Sequence, residues 1–126
     1  MKEQYLKKFP YDKEKYNLVI RYFQYMLGNG FLRILNFMKD DKSLSSQSIG
    51  YSFASNCDEE DKETGDYFED GVMFWFGHDD FDELLVDYSL FYNSLKLACD
   101  IYLEENANDY QIVKESLKII KNRYNL

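Results

Sequence analysis

The side chains with the most chemical potential lie in the middle of the chain. His78 is the sole histidine, and Asp79, Asp80 and Asp82 follow it closely. A His-Asp pair is a fragment of a metal-dependent phosphohydrolase site, but such sites draw on several histidines and this chain has one. Asp66, Asp70 and Gly71 match the opening of a calcium-binding EF-hand loop. Phe68 then occupies a ligand position, and Gly77 stands where the closing bidentate Glu belongs. A cysteine nucleophile would pair Cys57 or Cys99 with His78. Cys99 falls among the apolar positions of an expected helix and reads as small core filling. Gly28 and Gly30 are not followed by the Lys-Ser or Lys-Thr of a phosphate-binding loop. With 23 acidic residues some carboxylates meet in any fold, so their pairing points to no reaction. The chemistry-bearing residues thus predict no catalytic, cofactor or metal site.

Charge placement predicts binding instead. Residues 1–56 carry a balance of +4, residues 57–109 a balance of −15, and residues 110–126 a balance of +3. Asp58, Glu59, Glu60, Asp61, Glu63, Asp66, Glu69 and Asp70 are opposed within their own stretch by Lys62 alone. Asp79, Asp80 and Asp82 extend the block. Such a field repels nucleic acid phosphates and attracts basic proteins. Tyr67 and Phe68, with Trp75 beyond them, are aromatic anchors beside the charge. The acidic stretch therefore reads either as a solvated loop that aids solubility or as a recognition surface that occupies a site built for phosphates.

The elements that must position this block follow from hydrophobic periodicity. Asp12 suits the start of a helix with Tyr16, Val19, Ile20, Phe23 and Leu27 on one stripe, stopped by Gly28-Asn29-Gly30. Phe31, Ile34, Leu35 and Met38 predict a second helix, forming a hairpin with the first. Ser43 to Ser48 reads as a polar loop. Ile49, Tyr51 and Phe53 alternate with Gly50, Ser52 and Ala54, a strand with one bulky and one thin face. Asn56 to Asp70 reads as a loop, Val72 to Phe76 as a central strand buried on both faces, and Leu84 to Val86 as a short third strand. Ser89 is the expected cap of a helix through Glu105, and a last helix runs to about Arg123. The fold class expected is α+β: a central three-stranded antiparallel sheet flanked by an N-terminal helical hairpin and two C-terminal helices.

Length and composition agree. The 126 residues suit one domain, and 45% apolar with 18% aromatic content excludes disorder. The longest apolar run, Val72 to Phe76, is far short of the roughly 20 residues that span a bilayer. Met1 to Lys15 has no apolar core of a secretory signal, and two cysteines make no disulfide framework. A cytoplasmic protein without membrane contact is expected.

Two stretches carry a family resemblance. One is Asp66-Tyr67-Phe68-Glu69-Asp70-Gly71-Val72-Met73-Phe74; the other is Tyr88-Ser89-Leu90-Phe91-Tyr92 with Leu97-Ala98-Cys99-Asp100-Ile101-Tyr102-Leu103-Glu104-Glu105-Asn106. With the element order, from about Tyr16 to Ile120, they resemble the bacterial immunity proteins of contact-dependent growth inhibition, the CdiI-type proteins paired with ribonuclease toxins. The resemblance implies a non-enzymatic cytoplasmic inhibitor, a monomer binding one cognate CdiA C-terminal ribonuclease toxin domain. Ribonucleases need positive clefts for the RNA backbone, so an acidic cap complements them. The competing readings are an acidic nucleic-acid mimic that blocks a DNA- or RNA-binding protein, and a small carboxylate-dependent enzyme.

Overall fold

A computed structural model describes residues 2–77 and 81–126. The described residues form four strands in one antiparallel sheet, β1 (Leu44–Ser45), β2 (Ile49–Phe53), β3 (Val72–Phe76) and β4 (Asp82–Val86), in the spatial order of the chain. Six helices accompany them: α1 (Lys2–Lys8), α2 (Asn17–Gly28), α3 (Phe31–Lys39), α4 (Glu59–Thr64), α5 (Tyr88–Glu105) and α6 (Tyr110–Arg123).

The α+β class and the meander are as expected; the strand number is not. The sheet has four strands because Leu44 and Ser45, inside the expected polar loop, pair with Tyr51 and Gly50. Two residues are too few to show an alternation, which is why the strand was invisible in the sequence. The acidic loop likewise contains a helix. Asp58 accepts a hydrogen bond from Asp61 N (3.0 Å) while Asp61 Oδ2 accepts one from Asp58 N (2.9 Å), a reciprocal capping box that starts α4. No residue of α4 is buried, so no apolar stripe announces it.

The helix beginning at Tyr88 is capped by Asp87, not Ser89: Asp87 Oδ1 accepts from Leu90 N at 2.8 Å. Asp12 Oδ1 accepts from Glu14 N and Lys15 N, and so caps a turn that leads into α2 rather than the helix itself. The predicted hairpin of α2 and α3 is joined at Gly28-Asn29-Gly30, yet its two helices pack mainly elsewhere, α2 along α5 and α3 along α6. Ahead of them, α1 adds Tyr5 to the core, and Phe9 follows just beyond its end. The Tyr5 hydroxyl donates to the Ser94 carbonyl (3.1 Å), fastening the N-terminal helix to α5.

One face of the sheet is the core. Ile49, Tyr51 and Phe53 of β2, Val72 and Phe74 of β3 and Val86 of β4 are all buried. Tyr22, Phe23 and Phe91 reach them from α2 and α5: Tyr22 lies 5.3 Å from Tyr51 and 5.6 Å from Phe74, and Phe91 lies 5.5 Å from Phe53, between ring centroids. These tilted and edge-on arrangements suit ring quadrupoles. The opposite face is less covered, and Met73 and Trp75 on it are half-buried. β3 is thus buried on one face rather than both, as its continuous apolar run had suggested.

This asymmetry gives unequal mutational costs. Phe74→Ala, emptying a site 1% exposed, is expected to cost about 3–5 kcal/mol. Trp75→Ala should cost clearly less, and urea denaturation of the two variants measures the difference.

Buried tyrosines make stability sensitive to alkali. Burial pushes the Tyr5, Tyr22 and Tyr51 hydroxyls well above the usual tyrosine range. Tyr102 is pushed up to about 12, first by burial and then by its hydrogen bond to Asp109, 2.6 Å long. An unfolded tyrosine ionises near about 10, so the unfolded chain releases protons that the folded one retains. The stabilisation is complete below that pH and is lost as pH climbs through the folded values. Melting temperature should therefore fall steeply once pH passes about 10, with tyrosine ionisation followed by absorbance lagging behind a free tyrosine standard.

Candidate functional site

The less covered face of the sheet and the acidic segment together build a cleft. In register, Gly50 and Ser52 of β2, Met73 and Trp75 of β3, and Glu83 and Leu85 of β4 share that face. Gly50 decides how Trp75 lies. A Cβ at position 50 would stand 2.5 Å from the indole Cζ2 and 2.7 Å from Nε1, so the ring rests directly on the glycine backbone. Phe81 stands edge-on to the indole at 5.4 Å between centroids.

The segment after β2 closes the other wall. It is tied to the chain before β1: Asp41 Oδ2 accepts from Ser55 Oγ (2.7 Å), the Asp41 carbonyl accepts from Asn56 Nδ2 (2.9 Å), and Asn56 Oδ1 accepts from Ser43 N (2.7 Å). From the C-terminal side Tyr124 donates to Asp41 (3.2 Å), and Arg123 donates to the carbonyls of Met38 and Lys39 at the end of α3. At the far end Gly71 returns the chain to the sheet, its N–H donating to Asp70 Oδ1 (3.1 Å) and its carbonyl accepting from Ala54 N (3.2 Å). Gly71 has φ +96°, and any Cβ there would collide with the Val86 carbonyl.

The resulting cleft, about 380 Å³, is lined by Ser52, Met73, Trp75 and Glu83 from the sheet and by Cys57, Asp61, Asp66 and Phe68 from the segment, together with Ser43, Phe53 and Asn56. A neighbouring recess of about 210 Å³ shares Asp66, Trp75 and Glu83 and adds Phe81. Three carboxylates thus surround aromatic surface, and among the described residues no basic side chain lines either space. That combination suits a cationic side chain, which gains from both the carboxylates and the ring faces.

The acidic residues predicted from sequence divide by role. Asp58 and Asp61 form the α4 cap, and Asp61 also reaches the cleft. Glu59 and Glu60, in the first turn of α4, favour its positive dipole end and are exposed, as is Glu63. Glu59 pairs with Lys62 at 3.4 Å, and Lys62 Nζ sits 5.0 Å from the Tyr67 ring centroid. Asp66 lines the cleft and accepts from Thr64 Oγ1 at 3.1 Å. Phe68 is half-buried in the cleft wall, while Tyr67 is 40% exposed outside it. Glu69 and Asp70 are exposed. Asp82 is exposed on β4, opposite Phe76, and so belongs to the other face of the sheet. Asp79 and Asp80, with His78, lie outside the described residues.

Sequence reasoning missed Met73, Glu83, Phe81 and Leu85. Their signal was present as alternation: Glu83 and Leu85 fall on the Trp75 face only once β4 is paired residue by residue with β3. Phe81 and Leu85 are 53% and 47% exposed, which leaves apolar surface next to the charge.

A family model described as CDI immunity protein matches residues 15–117, a span that includes the whole sheet, the acidic segment and α5. The chain belongs to the CDI immunity protein family. Nothing among curated proteins matches it. Family membership makes toxin neutralisation the role of this fold, and agrees with the resemblance drawn from the acidic-aromatic stretch and from α5.

Gly50 offers a direct probe of the cleft, because Trp75 is the sole tryptophan. Gly50→Ala should lift the indole off the sheet and shift its fluorescence to the red. An unchanged emission spectrum would show that the ring does not depend on the glycine.

Proposed function

We propose that this CDI immunity protein binds a cognate CdiA C-terminal ribonuclease toxin domain in the bacterial cytoplasm and blocks it by covering its basic active site. The observation that carries the proposal is the aromatic cleft rimmed by Asp61, Asp66 and Glu83, with α4 presenting Glu59, Glu60 and Glu63 to solvent beside it. A ribonuclease must offer cationic side chains to RNA phosphates. The same side chains fit carboxylates set around Trp75 and Phe68, and RNA is then excluded from the site. The inhibitor acts by occupancy, as one monomer on one toxin domain, and needs no chemistry of its own.

The exposed acids and the cleft acids have separable parts in this binding. The α4 carboxylates act at long range and raise the encounter rate, whereas a cleft carboxylate desolvated against a toxin cation holds the complex together. Replacing Glu59, Glu60, Glu63 and Glu69 with Gln leaves the Asp58–Asp61 cap intact. This grouped variant should slow association by roughly tenfold at low salt, with little change at high salt or in the dissociation rate. Asp66→Asn should instead speed dissociation. Binding kinetics to the toxin domain at two salt concentrations test both. Salt-insensitive association, with the grouped variant equal to the wild type, would mean that the acidic segment serves solubility and the interface lies elsewhere.

A further inference from the structure

Among the described residues the sheet ends at β4, and its outer edge is unpaired. β4 bonds to β3 along one side only. Among the described residues, no backbone hydrogen bond outside the sheet uses residues 82–86. The opposite margin differs, because there the two-residue β1 offers almost no template. Five residues of free strand present about 17 Å of unused donors and acceptors.

Natural sheets protect such edges with charge, and Asp82 and Glu83 are exposed on this one. That protection has a sign. A second copy of the chain would bring acidic strand against acidic strand, which like charges oppose. A basic strand meets no such barrier. Cross-strand register also places Glu83 beside Trp75 and Leu85 beside Met73, so the edge is continuous with the cleft face. A strand added here would extend that face, with a cationic residue next to Glu83 and an apolar one next to exposed Leu85.

We infer that β4 receives an extended segment of the toxin, with a basic and an apolar residue two positions apart on one face, as a fifth strand of the sheet. The inference rests on the toxin-binding reading and deepens it. Main-chain bonds along β4 supply affinity, and side chains reaching toward Glu83 and Leu85 supply selectivity.

The test is residue-resolved amide exchange of the isotope-labelled protein, free and bound to the cognate toxin domain. In an antiparallel ladder, successive residues turn their N–H groups to opposite sides. Strand addition should therefore slow every second amide of residues 82–86, the outward ones, by roughly tenfold or more, while their neighbours, already bonded to β3, change little. A complex that forms without this alternation overturns the strand addition and leaves toxin binding standing. Absence of any complex overturns both. Leu84→Pro and Leu85→Pro provide a second readout, because one of the two removes an outward donor and the other breaks the β3 ladder. The variant that keeps the wild-type melting curve should bind at least roughly tenfold more weakly. Wild-type binding by that variant also overturns the inference.

Discussion

A four-stranded sheet has two faces, and the helices of this chain bury one. The interaction on which everything else depends is the aromatic contact of Tyr22, Phe23 and Phe91 with Tyr51, Phe53 and Phe74. Large rings are well suited to the task, because each removes much surface from water while its neighbours fix its tilt. Since those six rings satisfy the core from one side, β2 and β3 need no cover on the other. Their outward positions are released from packing, and the chain places glycine, serine, methionine and tryptophan there. The cleft is a product of that release: Trp75 lies on Gly50, where a Cβ would collide with the indole.

A second arrangement keeps the acidic segment in place although the segment buries almost nothing of its own. Asp41, in a left-handed conformation at φ 58°, accepts bonds from Ser55, Asn56 and Tyr124, and Arg123 closes the same knot at 3.8 Å. The knot joins the end of α3, the exit from β2 and the end of α6. Dense like charge would push the segment away from the sheet, and polar ties at both its ends oppose that tendency. Geometry at the cleft is therefore set by hydrogen bonds far along the chain, while its hydrophobic wall is set by the core.

Elements with a buried stripe were legible in the sequence, and those without one were not. The bounds of α3 match the stripe of Phe31, Ile34, Leu35 and Met38, and the alternation of Ile49, Tyr51 and Phe53 gave β2 and its inward face. Helix α4 has no buried residue and owes its start to the capping box of Asp58 and Asp61, which lies within a run of like charge that shows no helical period. Helix α1 is a seven-residue element with a single buried aromatic, Tyr5, too little to establish a period. For the site, the charge and the aromatic anchors Phe68 and Trp75 were visible; the cleft was not. Bringing Glu83 to Asp66 depends on strand register and on a glycine-permitted return at Gly71, and neither is written locally.

The two cysteines acquire different fates from this architecture. Cys99 is fully buried in α5, and burial pushes its thiol well above the usual range, so it is closed to reagents while the fold persists. Cys57 is half-buried in the wall of the cleft, beside Asp61 and Phe68. The native sequence thus carries a single addressable thiol at the very surface where a partner would sit. A label introduced there needs no engineered residue and no removal of the other cysteine. Its environment reports directly on whether the cleft is open to solvent or filled.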